Sequence, residues 1–120
     1  MTEKEIAISF LNLAGTGKVQ KAFKEFVSAD FFHHNQYFNG SREALEKAME
    51  EAHASSPNKS IEIKFSYKEG KTVITHSLVT KKDVQIAVVH IFRFEKDQIV
   101  EMWDISQPIS KDSPNEYGMF

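Results

Sequence analysis

Apolar positions along this chain change period once. Up to about residue 55 they recur every three or four residues, and from residue 60 they alternate with polar ones. The first pattern is that of helices with one buried face, the second that of strands in a sheet. Thr2-Glu3-Lys4-Glu5 has the spacing of a capping box, and Ile6, Phe10, Leu13 and Ala14 then share a stripe that Gly15 is expected to end in a left-handed cap. Val19, Ala22, Phe23, Phe26 and Val27 predict a second helix. A third follows Gly40, with Ser41 as N-cap and a small-residue stripe of Ala44, Leu45, Ala48, Met49 and Ala52 suited to close packing on a sheet. His53 near its end reads as a cation favoured by the helix dipole rather than a ligand. Between the last two helices lies SADFFHHNQYFNG, residues 28–40. Phe31 and Phe32 are expected to plug the core; His33, His34, Asn35 and Tyr37 suit either a pocket lining or a solvated loop, and composition alone favours the loop.

Ile61, Ile63, Phe65 and Tyr67 alternate with polar residues, and Glu69-Gly70 turns the chain. The next strand puts Ile74, His76 and Leu78 on one face and Val73, Thr75, Ser77 and Val79 on the other. After a turn at Lys81-Lys82-Asp83, residues 85–108 predict two long antiparallel strands that are apolar on both faces yet carry His90, Arg93, Trp103, Asp104 and Gln107. Two turns are compatible with this hairpin. A two-residue loop at Lys96-Asp97 pairs Phe94 with Ile99, sets His90 beside Trp103 and turns Asp104 away. A three-residue loop, Glu95 to Asp97, pairs Phe94 with Gln98, sets His90 beside Met102 and puts Asp104 on the same face. The second gathers the polar side chains and is the one expected. The segment from Pro108 to Phe120 is a tail whose apolar end suggests docking on the body or on a partner, with disorder as the plain alternative.

IFRFEKDQIVEMWDISQP with the later SPNEYGMF, and HHNQYFNGSREAL upstream, resemble the SnoaL-like proteins, relatives of ketosteroid isomerase and of polyketide cyclases. The resemblance spans nearly the whole chain. It implies one domain over residues 1–120, with 108–120 as tail, in an α+β cone: three N-terminal helices packed on a curved, mostly antiparallel sheet. It also moves His34 and Asn35 from a solvated loop to the cavity, near the segment where ketosteroid isomerase carries its carboxylate base. Two positions depart from the pattern. Where His90 stands, ketosteroid isomerase has a protonated carboxylic acid as oxyanion donor; where Met102 stands, SnoaL-like proteins usually have a histidine.

With the expected register, His76, His90, Met102 and Asp104 would form one wall, Phe92 and Trp103 apolar surfaces, and His34, Asn35 and Tyr37 the mouth. Asp104, His90 and His34 are the candidate catalytic residues; Asn35, Tyr37, His76, Phe92, Met102 and Trp103 are the candidate ligand contacts. A base with a hydrogen-bond donor beside it suits proton transfer next to a carbonyl, without a cofactor. Each histidine is also compatible with a satisfied core residue, and Asp104 with a partner such as Arg93. A binding module for an apolar ligand is the competing function. A metal site from His34, His76, His90 and Asp104 lacks supporting spacing, and none is expected. Ten phenylalanines suit an aromatic-lined cone, while a net charge of −2 gives no footprint for nucleic acid. The absence of cysteine removes disulfides and thiol nucleophiles. Without an apolar run of membrane length or a signal-peptide pattern, a cytoplasmic protein is expected. The doubly apolar hairpin predicts a homodimer through the outer sheet face, with Val89, Ile91, Arg93 and Trp103 in the contact.

Overall fold

The computed structural model describes residues 1–120. Helices α1 (Glu3–Gly15) and α2 (Val19–Phe26) lead into strand β1 (Val27–His33) and helix α3 (Arg42–Ser55). Strands β2 (Ser60–Glu69), β3 (Thr72–Thr80), β4 (Gln85–Glu95) and β5 (Gln98–Pro108) complete the chain. The five strands form one sheet in the order β1-β5-β4-β3-β2, with β1 parallel to β5 and every other pair antiparallel. This is the expected α+β arrangement, helices on one face of a curved, mostly antiparallel sheet. No helix is long and apolar enough to cross a membrane.

α1 opens as its sequence predicts. Thr2 Oγ1 accepts from the Glu5 amide at 3.1 Å, and the Glu5 carboxylate accepts from the Thr2 amide at 2.8 Å. Its end differs from expectation: Gly15 stays helical and the left-handed residue is Gly17, with φ 93°. A Cβ at Gly17 would lie 2.4 Å from Nε2 of His53, so α3 can approach only a glycine. α2 stops at Phe26, and Val27, expected on its stripe, begins β1 instead. The sequence pattern predicts no strand here. The pairing partner of β1 is β5, with Val27 opposite Ile99 and His33 opposite Met102, so no local pattern announces it. Alternation along it buries Phe31 and His33 and leaves Phe32 43% exposed, so only Phe31 plugs the core.

Phe10, Phe23 and Phe92 tie α1, α2 and β4 together. Phe10 meets Phe23 edge-on at 5.5 Å and Phe92 at 6.0 Å, all three fully buried. Truncating any one to alanine should cost about 3–5 kcal/mol, because a close-packed core cannot refill the space.

The hairpin turn is the two-residue one, with both Lys96 (φ 51°) and Asp97 (φ 61°) left-handed and Glu95 paired with Gln98. The expected three-residue loop is not formed. Phe94 therefore pairs with Ile99, but β5 then inserts one residue, Val100, before Arg93 pairs with Glu101. That bulge restores the phase the turn alone would lose. Beyond it Phe92 faces Met102, Ile91 faces Trp103 and His90 faces Asp104. His90 and Asp104 thus share a face, for a different reason than the loop length.

Val89, Ile91, Arg93, Trp103 and Ile105 share the outer face, which no helix covers. The tail docks on its own chain: Ile109 donates to the Gln85 carbonyl at 2.8 Å, and the Phe120 ring stacks on His76 at 4.5 Å.

Candidate functional site

Four strands each contribute one residue to a polar row under the helices. Ser66, Thr75, His90 and Asp104 are successive cross-strand partners from β2 to β5. The neighbouring row towards the core holds Val73, Phe92 and Met102, all fully buried; the row on the other side holds Ile63, Ser77 and Val88. A cavity of about 570 Å³ opens over this face. Leu11 and Ala14 of α1, Met49 and Ala52 of α3, and Ile61, Val79, Ile86 and Val88 of the sheet supply its apolar walls, and polar side chains line the rest. Such a space holds an organic molecule of ordinary size.

His90 and Asp104 face this cavity. His90 is buried, and burial pushes its pKa down to about 4 although the charge of Asp104 works the other way. At neutral pH its imidazole is uncharged, with one N–H and one free lone pair. Nδ1 is buried without a partner. Asp104 is the only carboxylate among the lining residues, and its Oδ2 accepts from Nδ2 of Asn35 at 3.1 Å. Asn35 is itself held on both sides. Its Oδ1 accepts from the Tyr37 amide at 2.9 Å, and its own amide donates to Nδ1 of His33 at 3.1 Å. The loop therefore turns about an asparagine whose side-chain amide is left free to reach the carboxylate. Arg93 is not the partner of Asp104. Its guanidinium donates to Glu101 at 2.7 Å and to Glu95 at 3.3 Å on the outer face.

The expected site residues divide between the two faces. Asn35, Tyr37, His90 and Asp104 border the cavity. His34 borders it too, but its ring is engaged elsewhere: Nε2 lies 2.6 Å from Glu101 Oε2, and the ring stacks on Trp103 at 4.6 Å. Burial opposes the charge on Glu101, yet hydrogen bonds from Arg93 and His34 outweigh it and hold the carboxyl below its ordinary pKa. Consecutive residues of an extended segment point to opposite faces, so it is His33 that turns inward, with Nε2 2.7 Å from the Asn39 carbonyl. His76 and Trp103 lie on the outer face, by the same alternation, and do not line the cavity. Phe92 and Met102 are on the correct face but one row deeper, sealed into the core.

The sequence reading missed the other end of the cavity. Lys81, read only as part of a turn, is the one lysine or arginine that lines it. Its amine donates to the Ser56 carbonyl, and burial lowers its pKa. His53 also lines the cavity, its ring packed on Gly17, and Asn58 joins it while donating to the Gly15 carbonyl at 3.0 Å. These residues come from a helix end and two loops, and no spacing in the sequence connects them. No group of three or more histidine, aspartate or glutamate side chains converges as metal ligands would; His34 and His76 are on the opposite face from His90.

A family model described as the SnoaL-like domain matches residues 8–102. The chain belongs to the SnoaL-like family. Solved structures share its fold at low identity. AclR from Streptomyces galilaeus is 19% identical, with 88% of this chain and 78% of that one covered at a TM-score of 0.74. A SnoaL-like polyketide cyclase from Agrobacterium tumefaciens is 14% identical, with 89% and 92% covered at 0.72. A protein of ketosteroid isomerase-like fold from Catenulispora acidiphila, solved in complex with trimethylamine, is 19% identical, with 87% and 86% covered at 0.68. No curated protein matches the sequence. For this SnoaL-like protein the likenesses establish the cone fold, and the reaction must be argued from the side chains.

Proposed function

We propose that this SnoaL-like protein catalyses cofactor-independent acid–base chemistry on a small, mostly apolar carbonyl compound: cyclisation, isomerisation or an aldol-type step. The observation that carries the reading is the His90–Asp104 cross-strand pair facing the cavity, with Asn35 holding one carboxylate oxygen. Asp104 would remove the proton next to the carbonyl. An N–H of the neutral His90 ring would hold the carbonyl oxygen as it becomes an enolate oxygen. The proton on Asp104 then returns to carbon in an isomerisation, or to the alkoxide formed when the enolate carbon closes on a second carbonyl. A neutral imidazole suits the donor role because it loses no charge and needs no reprotonation in the cycle.

The test uses α-tetralone, a bicyclic ketone small enough for the cavity, in heavy water. NMR should show exchange of the protons beside its carbonyl faster than in buffer alone. Asp104→Asn should slow that exchange by about a hundredfold or more, the usual worth of a positioned base. Its melting temperature should stay level or rise, since a half-buried carboxylate is held at a cost that a neutral amide avoids. If the ketone binds while exchange stays at the buffer rate, the protein is a binding module rather than an enzyme. The outer face, with Ile74 and Ile105 exposed and Ile91 and Trp103 half-buried between them, further supports a homodimer through this face, with the tail of each chain covering the His76 end.

A further inference from the structure

Three buried polar atoms on neighbouring positions of the helix-covered face lack a hydrogen-bond partner: Oγ1 of Thr75, Oγ of Ser77 and Nδ1 of His90. Thr75 and Ser77 are fully buried, and His90 is 7% exposed. An unpaired polar group in such a place is costly, and three side by side call for a pairing among themselves. Thr75 and His90 are direct cross-strand partners, whereas Ser77 stands opposite Val88. The side chains of such a pair start about 4.5–5.5 Å apart at Cβ, so rotation of a hydroxyl-bearing side chain can close the gap.

The geometry points to Thr75 as the residue that sets the tautomer of His90: its hydroxyl donates to Nδ1, which leaves the ring proton on Nε2. The row supplies the reason for the direction. His90 stands between Thr75 on β3 and Asp104 on β5. A carboxylate only accepts, so it favours N–H on the nitrogen nearer to it; a hydroxyl can donate, so it satisfies the bare nitrogen on the other side. Of the two ring nitrogens only Nδ1 is buried without a partner, and Thr75 is the cross-strand neighbour whose unpaired hydroxyl can turn towards it, which leaves Nε2 to the cavity. Thr75 is then a positioning residue. It touches no ligand, but it decides whether the cavity meets a hydrogen-bond donor or an acceptor. This rests on the reading of His90 as the donor, and a tautomer can be measured without any substrate.

The experiment is ring-nitrogen NMR on ¹⁵N-histidine-labelled protein at neutral pH, without added ligand. The signals of His90 are identified, among the five histidines, by their loss in His90→Gln. The unmodified protein should show Nε2 protonated and Nδ1 as a hydrogen-bonded acceptor. Thr75→Val, of nearly the same shape, should move both ring signals towards a mixed tautomer. Thr75→Ser should restore them, and Ser77→Ala should leave them in place. A proton on Nδ1 in the unmodified protein, or ring signals indifferent to Thr75→Val, would overturn the assignment. Should Thr75→Val fold poorly, the first of these still decides it. Absence of ketone exchange alongside the expected tautomer would count against the enzyme reading and leave the role of Thr75 standing.

Discussion

Buried His90 should make this protein acid-sensitive in a way one substitution removes. Folding lowers its pKa from the ordinary 6.5 to about 4, mainly because burial penalises the charged ring. The unfolded chain therefore takes up a proton below pH 6.5 that the folded chain refuses until about pH 4. Stability tied to this group is fully present above the unfolded value and is lost as pH falls through that window. At pH 5 the loss amounts to about 2 kcal/mol, from 1.36 kcal/mol per pKa unit over the 1.5 units below 6.5. Urea unfolding at pH 7 and pH 5 reads it directly. A slope of about 1–3 kcal/mol per molar urea turns that loss into a midpoint shift of roughly 1 M. Other groups, Glu101 among them, also contribute to the acid response, so the informative quantity is the difference from His90→Gln. The variant should lack the His90 part of the shift while keeping the rest. Equal pH dependence in both proteins would refute the argument and mean that His90 charges freely in the folded state.

Gly17→Ala should lower stability by more than the ~1–2 kcal/mol of a left-handed alanine, since its Cβ would also meet the His53 ring; thermal unfolding followed by circular dichroism measures this. His34→Ala should cost about 1 kcal/mol through the lost Glu101 hydrogen bond and Trp103 stacking, yet leave α-tetralone affinity near its original value, as titration would show. Ile91→Lys should shift sedimentation towards monomer by placing a charge in the proposed outer-face contact; an unmodified protein already monomeric at micromolar concentration would end that proposal.

Much of this architecture is decided by local pattern. The capping box of Thr2 and Glu5, the N-cap at Ser41 and the switch from a period near 3.6 to a period of two depend on residues within a few positions of one another. Short-range chemistry settles such features, which is why the helices, β2 to β5 and the α+β class were legible. HHNQY and the last hairpin carried the family likeness, and with it the cavity positions of Asn35, His90 and Asp104. Tertiary structure alone decided the rest. β1 exists because β5 lies beside it, and that pairing turns His33 inward and His34 outward. The bulge at Val100 resets the hairpin after a turn that by itself would have faced Asp104 away from His90. A one-residue insertion moves every later side chain to the other face, and nothing in IVEMWD marks where it falls. Lys81, His53 and Asn58 meet at one end of the cavity because the loop after β3, the end of α3 and the loop between α3 and β2 converge there. Side chains so far apart in the chain share no spacing, so only the packed fold brings them together.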